Sequence, residues 1–106
     1  MPVEGNATLG YVTGTGTFTA TGTGAAVPVS RRGDMNISLW GTFVGTVRLE
    51  RSYDGTTWLP LTYLDGPGLS WTAPMSTSFP VSDPGASYRF NCTAYTSGTV
   101  NWRISQ

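Results

Sequence analysis

Apolar residues in this chain recur at every second position, and no stretch carries them at i, i+3, i+4 and i+7 over two helical turns. A period of two belongs to strands that bury one face. Met35, Ile37 and Leu39 alternate with Asn36, Ser38 and Trp40, and Val47, Leu49 and Arg51 alternate with Thr46, Arg48 and Glu50. Tyr88, Phe90, Cys92 and Ala94 alternate with Arg89, Asn91 and Thr93, followed by Val100, Trp102 and Ile104 against Asn101 and Arg103. The residues that fill these runs are the strand formers Thr, Val, Tyr, Phe and Trp, while Glu and Gln are scarce and Lys is absent. An all-β fold follows.

The turn chemistry divides the chain into short strands. Tyr53-Asp54-Gly55-Thr56 carries the Asp-Gly signal of a tight hairpin, which predicts a strand over 57–63 paired with the one before it. Asp65-Gly66-Pro67-Gly68 and Ser82-Asp83-Pro84-Gly85 are turns by composition, and 69–72 is a short strand around Trp71. Pro74 and Pro80 confine the segment between them to an edge strand or an irregular link. Ser97-Gly98 joins the last two alternating runs as the clearest hairpin of the sequence. Seven or eight strands at this spacing predict a single antiparallel β-sandwich, Ig-like or jelly-roll-like.

A chain of 106 residues holds one domain. Within it, 34–106 is read as the sandwich core and 1–33 as a Gly/Thr-rich N-terminal arm or edge strand. The run from Gly14 to Gly24 alternates Thr with small residues and offers Phe18 as its one large apolar side chain. A segment with so little to bury gains order by pairing its backbone, either with a neighbouring subunit as an arm or with its own domain as an edge strand over Leu9 to Phe18.

Little in the sequence points to catalysis, and no catalytic residue, metal ligand or cofactor is assigned. The chain has no His, which removes the usual general base, triad member and zinc ligand together. Asp54, Asp65 and Asp83 belong to turns, Glu4 lies near an end, and Glu50 is flanked by Arg48 and Arg51. No pattern sets two carboxylates face to face as glycoside hydrolysis needs, and no calcium-loop or phosphate-loop spacing occurs. Six Arg balance six acids, so no basic field favours nucleic acid. No apolar run is long enough for a membrane-spanning helix, and the start lacks the pattern of a secretion signal, so synthesis in a cytoplasm is expected. Three Asn-x-Ser/Thr matches, at Asn6, Asn36 and Asn91, are read as coincidences of a Thr-rich sequence. Cys92, the single cysteine, forms no internal disulfide and suits a buried position.

The aromatic residues remain as candidates. Phe18, Trp40, Phe43, Trp58, Trp71 and Tyr95 are the candidate interface residues, as rings that close a core or an oligomer contact or, alternatively, stack on sugars. Trp40 matters most, because alternation sets it opposite Ile37 and Leu39.

Residues 39–58 (LWGTFVGTVRLERSYDGTTW) and 88–103 (YRFNCTAYTSGTVNWR) resemble small virion proteins of tailed bacteriophages and phage-like gene-transfer particles. The resemblance implies a β-sandwich that decorates or cements a capsid, or forms the base of a head fibre. Its implied partners are the major capsid protein and further copies of itself, and its implied location is the capsid surface after synthesis in the host cytoplasm. A trimer is expected in preference to a dimer, since Trp40 and Thr-rich edges suit a closed homo-oligomer. The rival expectation is a fibre or receptor-binding module that contacts host glycans through exposed aromatics.

Overall fold

The computed structural model describes residues 12–29, 33–62, 68–81 and 85–106. Ten strands form among these residues, the long ones from the alternating runs: β1 (Thr13–Phe18), β2 (Gly22–Thr23), β3 (Val27–Val29), β4 (Gly33–Trp40), β5 (Phe43–Ser52), β6 (Leu59–Pro60), β7 (Ser70–Trp71), β8 (Met75–Val81), β9 (Ala86–Gly98) and β10 (Val100–Ser105). They form two antiparallel sheets. One runs β1-β10-β4-β8, and the other runs β2-β9-β5-β6, with β3 also on β9 and β7 also on β5. The all-β sandwich read from the sequence is the fold.

Between the sheets lies a core built by the predicted parity. Met35, Ile37 and Leu39 are buried on β4, Val47 and Leu49 on β5, Tyr88, Phe90 and Cys92 on β9, and Val100, Trp102 and Ile104 on β10. Each large aliphatic or aromatic side chain so placed stabilises the fold by about 1.5–3 kcal/mol. Phe90 meets Trp102 edge-on at 5.9 Å and Trp71 at 6.2 Å, the ring geometry that aromatic quadrupoles favour.

Two connections depart from the sequence reading. The run from Tyr88 to Ile104 is not a hairpin, because β9 and β10 belong to different sheets. β4 and β5 also belong to different sheets, so the chain changes sheets at 41–42 as it does at Thr99. The two crossings lie against each other, with the Thr99 N–H donating to Thr42 O at 3.0 Å. Gly41 (φ 112°) and Gly98 (φ 90°) make this possible, since a Cβ on Gly41 would stand 2.5 Å from Thr99 O and one on Gly98 would collide with Thr42 O. Alternation alone cannot distinguish a hairpin from a crossing, because both faces of the sandwich share one core.

The Asp54-Gly55 turn is longer than the tight hairpin expected. Six residues, 53–58, separate β5 from β6, which is only two residues long and pairs Glu50 with Pro60 and Arg51 with Leu59. Asp54 organises this loop through Oδ1, which accepts from Thr57 N–H (2.7 Å), Thr56 N–H (2.8 Å) and Ser52 Oγ (3.0 Å). Those bonds hold its carboxyl well below the usual carboxylate range. The segment between Pro74 and Pro80 takes the edge-strand form as β8, paired to β4 alone in its sheet.

The core also reaches outside 34–106. Phe18, Val27 and Val29 are buried within it, and β1, β2 and β3 are bonded to β10 or β9. Thr13–Phe18 is therefore an edge strand of the same domain, while residues 1–11 lie outside the described residues. The Gly/Thr alternation has a packing cause: Gly14, Gly16 and Phe18 face inward and Thr13, Thr15 and Thr17 face solvent. The inward space is taken by Trp102, whose Nε1 would be 2.7 Å from a Cβ on Gly16 and whose Cζ2 would be 3.0 Å from one on Gly24. Beside it, a Cβ on Gly14 would collide with Val27. The glycines are the hole into which a neighbour's ring fits.

Candidate functional site: ends, edges and a polar face

Outward parity on the β5–β9 pair assembles a polar cluster. Arg48, Glu50 and Ser52 share one face of β5, and Arg89 and Asn91 share the same face of β9, where Glu50 stands opposite Arg89 and Arg48 opposite Asn91. Glu50 is buried, only 1% exposed, and all its bonds come from these neighbours. Arg48 Nε and Arg89 Nε donate to its Oε2 and Oε1 at 2.7 and 2.8 Å, and Asn91 Nδ2 donates to Oε2 at 2.9 Å. Burial pushes the carboxyl up, but the bonds from Asn91, Arg89 and Arg48 outweigh it, so Glu50 titrates below its ordinary value. The Trp58 ring covers Arg89, with the guanidinium 4.2 Å from the ring centroid.

The sequence reading missed this cluster because it paired Glu50 with its neighbours in the chain. Arg51 lies on the opposite face of the strand and sits over the Tyr53 ring at 5.1 Å. The usable signal was Arg48-x-Glu50 on one run and Arg89-x-Asn91 on another, each pair on a single face. The cluster is saturated by its own members, which makes it a structural clamp between the two central strands rather than a vacant site.

The six candidate interface aromatics do not form one patch. Phe18 is buried in the core and is withdrawn as an interface residue, since it faces inward at the end of β1, opposite Val100 of β10. Trp71 is half-buried against Phe90 and lines an open cleft of about 330 Å³ with Ile37, Leu69, Thr77, Ser78 and Phe79. Trp58 is engaged by Arg89. Trp40, Phe43 and Tyr95 gather where the chain crosses between sheets: Phe43 pairs with Gly98, and the Tyr95 hydroxyl donates to Gly98 O at 2.7 Å.

Among the described residues, the exposed large apolar side chains fall at the two ends of β5. Trp40 (47% exposed) and Val44 (58%) mark the crossing end, and Tyr53 (54%) and Leu59 (52%) mark the other. A ten-residue strand separates them, so the two ends stand roughly 30 Å apart at ~3.3 Å per residue. Cys92 is buried, its thiol pushed up by burial although Sγ approaches Ala94 O at 3.4 Å, so it is a core residue. Among the described residues no group of three or more His, Cys, Asp or Glu side chains is placed to hold a metal ion. Comparison with protein-family models, curated proteins and solved structures gives no match to this chain.

Proposed function

We propose that this chain is a structural component of a virion, a decoration or cement protein that binds the outer surface of an assembled capsid lattice and stabilises it. The observation that carries the reading is the division of exposed apolar surface between the two ends of β5, Trp40 with Val44 and Tyr53 with Leu59. A rigid body with a contact point at each end suits the bridging of neighbouring lattice subunits, where repetition multiplies weak contacts. A neutral surface keeps such a body free of long-range repulsion from its own copies. The likeness of 39–58 and 88–103 to small virion proteins supports the same reading, and these stretches hold Trp40, Val44 and Tyr53.

A ligand that binds only the assembled state raises its melting temperature. Capsid particles prepared with and without the chain are compared by calorimetry; a higher melting temperature with the chain is expected, and an unchanged one removes the cement reading. The exposed ring of Trp40 favours one rival, a module that stacks on host glycans. Binding on a glycan array that is lost in Trp40→Ala, with no effect on particle melting, selects that rival.

A further inference from the structure

Among the described residues, strand β1 is hydrogen-bonded on one side only, to β10. Val12 N–H donates to Gln106 O (3.3 Å) and Gln106 N–H returns a bond to Val12 O (2.9 Å), which sets the phase of the β1–β10 ladder. Counting in twos along the register, Gly14, Gly16 and Phe18 direct their peptide groups to Ile104, Trp102 and Val100. Thr13, Thr15 and Thr17 therefore turn their N–H and C=O groups to the open side, and all three are exposed. Protein edges are normally blunted by Lys, Pro, an inward charge or a bulge. β1 carries none of these, whereas the opposite edge of the sheet, β8, contains Pro80.

We propose that β1 pairs with β1 of a second copy of this chain, antiparallel about a two-fold axis through Thr15, so that two four-stranded sheets become one continuous sheet. The sequence of the strand is self-complementary in that register. Thr13 stands opposite Thr17 and Thr15 opposite itself, so the outward-turned peptide groups of one copy meet those of the other, each pair exchanging two bonds. The outer face then carries Thr–Thr pairs, a favourable cross-strand combination. On the inner face Gly14 meets Gly16 and Val12 meets Phe18, with no charge in the strand to oppose the approach. A slip of one residue sets Thr against Gly and breaks the bonding phase, which fixes the register. The two-fold closes at two copies, so this edge makes a dimer in place of the trimer expected from the sequence.

This deepens the reading of the chain as an assembly component, and it is tested on the isolated full-length chain, so its outcome is separate from particle binding. Amide hydrogen exchange is followed by NMR at low and high protein concentration, with mass measured by sedimentation. Protection of Gly14, Gly16 and Phe18 at both concentrations, and of Thr13, Thr15 and Thr17 only at high concentration together with a doubled mass, is the expected result. Thr15→Pro deletes the central outward donor without removing a bond to β10, and Thr15→Lys sets two cations face to face. Each variant is expected to weaken the dimer by about tenfold or more, as the loss of one or two hydrogen bonds implies. Retained protection of Gly14 and Gly16 in Thr15→Lys shows that β1 is still in place if Thr15→Pro does not fold. A monomer at every concentration with the three Thr amides open overturns the proposal, as does a dimer of unchanged strength in Thr15→Lys.

Discussion

Strands Thr13–Phe18 and Phe43–Ser52 solve the problem of belonging to a sheet in opposite ways. The central strand uses both faces: Val47 and Leu49 pack in the core, and Arg48 and Glu50 clamp it to Arg89 and Asn91 outside. The edge strand uses almost none of its own side chains. Its inward glycines give way to Trp102 and its outward threonines meet solvent. A residue's worth therefore depends on where its strand lies, and small residues at an edge can be as tightly specified as large ones at the centre.

Removing the side chains of the central strand should cost most. Leu49→Ala, at a fully buried position, is expected to lower stability by about 2–5 kcal/mol in urea titration; a loss below about 1 kcal/mol would place the weight of the core elsewhere. Glu50→Gln should cost less, about 1–3 kcal/mol, because it weakens charge-assisted bonds while Arg48 remains 39% exposed and able to turn to water. The same residue fixes a pH dependence. Its carboxyl titrates below the ordinary value of 4.5 in the fold, so its stabilisation is complete above that value and is lost as pH falls through the lower folded one. The gap in stability between the native chain and Glu50→Gln should accordingly close in acid; a gap that stays constant would show that the charge of Glu50 contributes nothing. At the other extreme, Thr13→Ser and Thr17→Ser on the solvent face of the edge strand should change the stability of the isolated domain by no more than about 0.5 kcal/mol. A larger loss in thermal melts would mean that those side chains hold the strand in place.

The same contrast explains what the sequence disclosed. Met35, Ile37, Leu39, Tyr88, Phe90 and Cys92 declared their buried face because each carries its own apolar group, and Pro80 declared an edge because it lacks a donor. Gly14 and Gly16 declared nothing, since an inward glycine is legible only beside the ring that fills its place, and Trp102 lies more than eighty residues away in the sequence. The crossings at Gly41 and Gly98 were hidden for a related reason: a turn that changes sheets has the composition of one that returns to the same sheet. Glu50 was visible as a charge but not as a clamp, because two of its three partners come from β9. The six aromatics are visible in the sequence as large rings, yet their division into core, cleft and crossing end depends on tertiary neighbours that no local spacing encodes.

Trp102 holds the first strand through the space its glycines leave, and a double-mutant cycle between Gly16→Ala and Trp102→Phe measures that dependence. A methyl group at Gly16 would press on the indole nitrogen at 2.7 Å, so Gly16→Ala alone should cost about 1–3 kcal/mol. With the smaller Phe ring in place the same substitution has room, and the two changes should couple by about 1 kcal/mol or more. Costs that add to within about 0.5 kcal/mol would contradict the account, because they would mean that the glycine face and the ring do not share one site.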